Sequence, residues 1–400
     1  MRKTKKDILV NNKFNLLRYN TNKFKGQVLS KNILKGYNIT NRRNFLKTGV
    51  IATSLAAAPS IVLAKDEKIS TKNTQKHHFY DVTLTHTLKE KGKISKLWVP
   101  LPLNANFQSL VSSIKNSGNY DEIYMSDFEI PTLYAKFSNE NPTITTNFQV
   151  ATIERNTDFS KVNFNENEKL SPEIQKFLQA TQTMQIDGVV KEKALEITKG
   201  INGDLERARA IYDWVADTMQ RDESVIGCGV SDAKKILESG KLSGKCTDIN
   251  SVFVALCRSI GIPAREFFGI RVGQSRFSSA MGSGKDGVTN ITGAQHCRAE
   301  FYLKGYGWIP VDPADVTKVR LAENLTNSDK KIKDIKEFLF GNWEMCWIAY
   351  NMGRDFVLRP EPFIKPLNNF GYPYAEVDGH VQNYYDAKNF SYEYKSITKA

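Results

Sequence analysis

The chain has 400 residues, 40% of them hydrophobic and 11% aromatic, which is typical of a globular protein with room for two or three domains. Its formal net charge is +13, but residues 1–64 hold 13 of the 56 basic residues and only one acidic residue, Asp7. Beyond residue 64, 43 basic and 42 acidic residues nearly cancel. The main part of the chain therefore gives no support to a basic groove, and we expect no nucleic-acid partner.

The first 64 residues have the pattern of an export signal. A basic stretch, TNRRNFLKTG, is followed by the short apolar run VIATSLAAAPSIVLA and then by KDEK. The pair Arg42 and Arg43, with the NFLK that follows, resembles a twin-arginine signal, and Val62-x-Ala64 fits cleavage after Ala64. The alternative is an uncleaved anchor helix. The resemblance implies the twin-arginine export machinery as a partner and a periplasmic location.

Residues 76–157 show the alternation that is typical of antiparallel strands. In HFYDVTLTHTL the apolar residues Tyr80, Val82 and Leu84 fall on one face, and TITTNFQVATIER repeats the same period from Ile144 onward. Asn, Gly and Pro punctuate these segments. The pattern predicts a β-rich N-terminal domain that resembles a sandwich.

Residues 171–320 change to a helical period and then return to strands. SPEIQKFLQATQTM opens with a Ser-Pro helix start, and two further helices are broken near Gly200 and Gly203. The strands REFFGIRV, HCRAEFYL and GWIPVDP follow later. This order predicts an α+β domain. Residues 321–400 are aromatic and weakly periodic, and we expect them to pack back onto that domain as a C-terminal extension.

A cysteine stands where one predicted helix begins, in SGKCTDINSVFVALCRSIGIPAR. The apolar residues recur at three- and four-residue steps and form one stripe: Ile249, Val252, Phe253, Leu256 and Ile260. Cys246 falls in the first turn, where free N–H groups and the helix dipole favour an anion and lower a thiol pKa. A small buried cysteine is the alternative interpretation. GKLSGKC does not have the spacing of a phosphate-binding loop.

His296 and Asp312 are the candidate partners of this thiol. If HCRAEFYL and GWIPVDP form an antiparallel hairpin through the turn 304–307, the start of one strand lies beside the end of the other. A Cys–His–Asp relay would then form, in which Asp312 orients the imidazole and stabilises the imidazolium. Asp315 and Glu300 are rival acids for the same role.

The other cysteines form no recognisable pattern. The total of five is odd, so at least one thiol is expected to be unpaired. Cys257 is expected in the helix core, and Cys297 buried on the strand face opposite His296. Cys228 and Cys346 could pair with each other. Because no ligands have close spacing and no acidic loop is present, we expect no zinc, calcium or other cofactor.

The three blocks GKCTDINSVFVALCRSIGIPAR, HCRAEFYL and GYGWIPVDPADV, in this order, resemble those of the transglutaminase-like superfamily. The resemblance covers about residues 190–320. It implies a papain-like core, in which a helix that begins with cysteine packs on an antiparallel sheet, and it assigns the catalytic places to Cys246, His296 and Asp312. Arg298 departs from the pattern, because an aromatic residue is common there in relatives.

The resemblance also implies a chemistry. Active members of the superfamily share the attack of a thiolate on an amide carbonyl, which yields a thioester. We therefore expect an exported thiol-dependent amide hydrolase or peptidase that acts on a protein or peptide in the cell envelope. Two alternatives stay open: a crosslinking transglutaminase, in which an amine resolves the thioester, and a non-catalytic binding protein that keeps the fold.

Overall fold

The computed structural model describes residues 77–399 except 91, 127–128, 163–164, 166 and 285–286. The export signal expected at residues 1–64 lies outside this range. The described residues all belong to one unit, Lys72–Ala400. Within this range, no helix has both the length and the apolar character that crossing a membrane requires.

The elements follow the predicted order of strands, then helices, then strands. The N-terminal strands are β1 (His77–Thr87), β2 (Ser95–Pro100), β3 (Gln108–Leu110), β4 (Lys115–Gly118), β5 (Glu122–Ser126), β6 (Thr132–Phe137), β7 (Thr143–Ile153) and β8 (Arg155–Asn156). The central elements are α1 (Pro172–Gln175), α2 (Val189–Ile197), α3 (Asp204–Thr218), β9 (Gln220–Arg221), α4 (Ala233–Ser239), β10 (Ser243–Gly244), α5 (Cys246–Ser259), β11 (Ala264–Arg271), β12 (Val288–Asn290), β13 (Gln295–Leu303), β14 (Gly307–Val311) and α6 (Pro313–Ala322). The C-terminal elements are α7 (Lys330–Phe338), β15 (Asn342–Trp343), β16 (Trp347–Asn351), β17 (Tyr374–Val377), β18 (His380–Val381), α8 (Ala387–Phe390) and β19 (Tyr392–Lys399).

Two antiparallel sheets confirm the predicted sandwich-like N-terminal region. One has the order β12-β19-β1-β7-β3, with β4 also on β7, and the other has the order β18-β17-β2-β6-β5. The alternating residues Tyr80, Val82 and Leu84 of β1 are buried in the same apolar cluster as Leu97 and Val99 of β2. The sheets therefore face each other across one core, as the period-two pattern requires.

The end of the chain completes both of these sheets. Strand β19 pairs antiparallel with β1 from Phe79↔Lys399 to His86↔Tyr392, and β17 pairs with β2. Without β19, one long edge of β1 would expose unpaired backbone groups. The predicted extension 321–400 thus contributes strands to the N-terminal sheets, a partnership that the alternation within single strands does not specify.

Helix α5 lies at the centre of a second core, against the sheet β14-β13-β11-β16. The sequence predicts a single apolar stripe on this helix, but every residue from Cys246 to Arg258 is buried. The reason is that α2, α3, α4 and α6 pack around the faces of α5 that the sheet leaves open. The polar residues among them are satisfied internally, as where Asn250 Nδ2 donates to the Cys297 carbonyl at 2.7 Å.

Replacement of Phe253 by alanine should destabilise the fold by about 3–5 kcal/mol, because it removes a buried ring and leaves a cavity. The Phe253 ring meets the rings of Tyr212 and Phe301 edge-on. Urea unfolding measures the change. Leu195→Ala is the control, because Leu195 is 54% exposed and its loss should change stability by no more than about 0.5 kcal/mol. Equal losses in the two variants would contradict the central position of α5.

Candidate active site

The thiol of Cys246 lies in the first turn of α5, as predicted, and a buried carboxylate holds that turn in place. Asp248 accepts the backbone N–H of Lys245 at 3.0 Å and that of Ser231 at 2.8 Å. A Cβ at Gly244 would lie 2.5 Å from the Asp248 side chain. Gly244, two residues before Cys246, therefore makes room for the carboxylate that closes the helix N-terminus.

The predicted hairpin is confirmed, and it brings His296 and Asp312 together. Strands β13 and β14 pair antiparallel from Ala299↔Val311 to Leu303↔Gly307. His296 Nε2 lies 2.7 Å from Asp312 Oδ2, and both side chains are buried. The Nε2–H therefore donates to the carboxylate and leaves Nδ1 for proton exchange with another group. The indole N–H of Trp347 donates to the His296 carbonyl at 2.9 Å and holds the strand beneath the ring.

The two rival acids have different positions. Asp315 Oδ2 lies 3.5 Å from His296 Nε2, so this second carboxylate also faces the imidazole, but its main partner is the guanidinium of Arg271. Glu300 instead pairs with Arg265 at 2.8 Å and with Arg155. Asp312 is therefore the carboxylate in short contact with the imidazole, whereas Glu300 pairs with two arginines.

Three neighbours lower the pKa of the Cys246 thiol well below its usual value. Hydrogen bonds with Cys228 and Cys297 contribute most, and the hydrogen bond and positive charge of His296 add to them, while burial acts in the opposite direction. Burial and the proximity of the Cys246 thiolate raise the pKa of Cys297. Cys246 therefore loses its proton before Cys297 does. The resulting thiolate is the form in which a cysteine acts as a nucleophile.

The imidazole responds in the complementary direction. Burial and the charge of Arg271 lower the pKa of His296, but the carboxylates of Asp315 and Asp312 outweigh them, and the net shift is upward. Burial, together with the charge of Asp315, raises the pKa of Asp312. A lowered thiol pKa beside a raised imidazole pKa favours a thiolate–imidazolium pair between Cys246 and His296.

The thiol is covered. Cys246 is only 4% exposed, and the covering residue Cys228 lies between β9 and α4 in a segment without helix or strand. The Cys228 carbonyl accepts the N–H of Thr247 at 3.0 Å, and its sulfur lies 3.3 Å from the hydroxyl of Tyr372. The sulfur is therefore shielded from solvent in this arrangement.

Several functional neighbours were missed by the sequence analysis. Asn250 reaches towards Asp312 Oδ1 at 3.5 Å, and its position four residues after Cys246, on the same helix face, was an available signal. Arg271 lies six residues after the first motif block and Cys228 lies before it, and neither stands at a spacing from Cys246 that indicates a contact with the site.

The cysteines are closer together than their spacing suggests. All five are free thiols, including Cys228 and Cys346, for which pairing was open. Cys297 is buried as expected, with its sulfur 2.8 Å from Thr247 Oγ1. The sulfurs of Cys228, Cys246 and Cys297 all lie within 4.8 Å of one another.

Comparison with known proteins agrees with this geometry. Residues 191–313 match the model of the transglutaminase-like superfamily core. These residues form a transglutaminase-like superfamily domain. The chain is 41% identical over 367 residues to an uncharacterised protein of Haemophilus influenzae, a match that covers 87% of this chain and 98% of the relative.

Among solved structures, the chain is similar to a proposed cysteine protease of Cytophaga hutchinsonii. The TM-score is 0.54 at 15% identity, over 81% of this chain and 92% of the other, which supports the same fold. The periplasmic domain of TgpA from Pseudomonas aeruginosa also matches, with a TM-score of 0.32 at 12% identity, over 63% of this chain and 91% of that domain. The second likeness is too low to support a structural argument.

We predict that alkylation of Cys246 by iodoacetamide depends weakly on pH. A small model thiol loses most of its thiolate between pH 8 and pH 6, and its rate falls roughly 80-fold. The lowered pKa of Cys246 keeps its thiolate present as the pH falls, so its rate should fall much less than that of the model thiol. Peptide mapping after timed labelling gives the rate at each pH. The slope, unlike the absolute rate, is independent of burial, and a slope equal to that of the model thiol would contradict the thiolate assignment.

We predict that Arg271→Met destabilises the protein by about 3–5 kcal/mol, since it leaves the buried carboxylate of Asp315 without its ion-pair partner. Arg276→Met is the matched control, because that side chain is 52% exposed and its ion pairs contribute no more than about 1 kcal/mol. Urea unfolding of both variants at neutral pH measures the difference. Similar losses of unfolding free energy in the two variants would show that the buried Arg271–Asp315 pair contributes no more to stability than an exposed ion pair does.

Proposed function

We propose that this protein is an exported cysteine hydrolase that cleaves an amide bond in a protein or peptide of the cell envelope. The observation that carries the proposal is the 2.7 Å contact between His296 Nε2 and Asp312, next to a thiol at the start of a buried helix. A cysteine kept only for packing needs neither an oriented imidazole nor a helix N-terminus.

The first half of the reaction forms a thioester. The Cys246 thiolate attacks the amide carbonyl carbon, and the carbonyl electron pair moves to the oxygen. The N–H of Cys246, in the first turn of α5, is a donor for that oxyanion. As the C–N bond breaks, His296 Nδ1–H gives its proton to the leaving amine, and Asp312 holds the ring in the required orientation.

The second half releases the acid. The imidazole, now neutral, accepts a proton from water at Nδ1 while the water oxygen attacks the thioester carbonyl. The C–S bond breaks, the carboxylic acid leaves, and the thiolate and imidazolium return. If a primary amine takes the place of water, the same residues transfer the acyl group.

Access to the sulfur depends on the segment 222–232. This segment is held over Cys246 by the Thr247 N–H, by the Tyr372 hydroxyl and by the bond from Ser231 N–H to Asp248. We propose that an extended substrate displaces it. The other walls, the first turn of α5 and strand β13, belong to regular elements.

The proposed compartment is the periplasm. The support is the sequence pattern that includes Arg42 and Arg43, which is typical of substrates of the twin-arginine machinery. Proteins and peptides with amide bonds in that compartment are the substrate class to search.

Incubation of the reduced protein with bacterial envelope extract, followed by an acid quench, should leave an acyl group on Cys246. Mass spectrometry of the Cys246 peptide detects it, and neutral hydroxylamine should remove it, as expected for a thioester. His296→Gln should reduce adduct formation at least about 10³-fold, and Asp312→Asn about 10²–10⁴-fold.

Cys257→Ala is the control for this experiment, because it removes another thiol of the same helix and should leave the adduct unchanged. An adduct that forms equally in His296→Gln, or on other cysteines, would overturn the catalytic proposal in favour of a binding protein. Incorporation of a fluorescent primary amine in place of hydrolysis would assign the protein to the acyltransferases.

A further inference from the structure

Three buried sulfur atoms meet at the start of α5, from three separate parts of the chain. Cys228 comes from the segment 222–232, which covers Cys246; Cys246 comes from α5 and Cys297 from β13. Their sulfurs lie within 4.8 Å of one another. The proposed reaction uses one of them. In the proposed hydrolysis, the thiols of Cys228 and Cys297 neither form nor break a covalent bond with the substrate.

The spacing suits a single metal ion. Zn–S bonds are about 2.3 Å long, so three sulfurs around one ion of similar size in a plane stand about 4 Å apart. The sulfurs lie within 4.8 Å of one another, which is close to this spacing. Thiolates select soft d¹⁰ ions such as Cu⁺ and Zn²⁺. Zn²⁺ at three sulfurs needs a fourth ligand such as water, whereas Cu⁺ is satisfied by three thiolates, so Cu⁺ fits the three sulfurs alone.

Neighbouring groups would support bound thiolates. The Tyr372 hydroxyl lies 3.3 Å from the Cys228 sulfur, and Thr247 Oγ1 lies 2.8 Å from the Cys297 sulfur, so each can donate to a ligand atom. The N-terminus of α5 places its positive dipole end beside Cys246. Each thiol proton that the ion displaces passes to solvent.

We propose that Cys228, Cys246 and Cys297 form a binding site for Cu⁺, which closes the active site by occupying the nucleophilic sulfur. The binding stands on the sulfur geometry alone, and the inhibition rests on the proposed function. The ion also ties the covering segment, through Cys228, to the helix and to β13. In the copper-loaded protein, the Cys246 thiolate is therefore not free to react, and the segment 222–232 is fixed over it.

A competition titration tests the binding. The reduced full-length protein is mixed anaerobically with Cu⁺ and the chromophoric chelator bicinchoninate, and the loss of the chelator's colour reports transfer to the protein. One ion per chain should transfer, and Cys228→Ser and Cys297→Ser should each weaken binding at least tenfold. Cys346→Ser is the matched control, because Cys346 is a buried free thiol outside the cluster, and it should bind as the wild type does.

A protection experiment on the wild-type chain needs no variant to fold. Cu⁺ should suppress iodoacetamide labelling of Cys246, and excess bicinchoninate should restore it. Failure of Cu⁺ to transfer, equal loss of binding in Cys346→Ser, or Zn²⁺ binding at these sulfurs without Cu⁺ binding would overturn the proposal.

The two proposals fail separately. If Cys246 of the metal-free protein forms no acyl adduct while Cu⁺ still binds the three sulfurs, the hydrolase proposal falls and the metal site stands. If the adduct forms and Cu⁺ does not bind, the metal site falls and the hydrolase proposal stands.

Discussion

Charge compensation around strand β13 is the constraint on which the rest of the site depends. In the thiolate–imidazolium state, three buried negative groups face three buried positive groups: Cys246, Asp312 and Asp315 against His296, Arg271 and Arg298. A single charge left unpaired in such an interior costs several kcal/mol. Opposite charges beside one another therefore lower the cost of holding an ionised sulfur away from water. The two arginines are therefore as much a part of the site as the imidazole.

Arg298 is the position at which the sequence departs from the motif it resembles. Where the resemblance implies an aromatic residue, the guanidinium lies 3.5 Å from Asp312 Oδ2 and donates to the Glu344 carbonyl at 2.9 Å. Trp347 of β16 lies against it, with the ring centroid 4.9 Å from the guanidinium carbon. The aromatic surface thus comes from a neighbouring strand, and the position itself places a positive charge beside Asp312.

The sandwich and the site share the last part of the chain. Tyr372, which contacts Cys228, lies just before β17, and β17 pairs with β2 of the sandwich. The cover over the thiol is thus attached to the β-rich region as well as to α5. A short run of residues therefore connects the neighbourhood of the thiol to the sandwich.

Elements with local signals could be predicted from the amino-acid sequence. They are the helix that begins at Cys246, the sandwich-like strands, and the hairpin that brings His296 to Asp312, because periodicity, helix stops and a short turn act over a few residues. Three features are visible only in the folded chain: α5 is buried on all sides, β19 completes the first sheet, and three distant cysteines meet. Those features arise from contacts between segments far apart in the chain, and no spacing along the chain encodes which distant segments will meet.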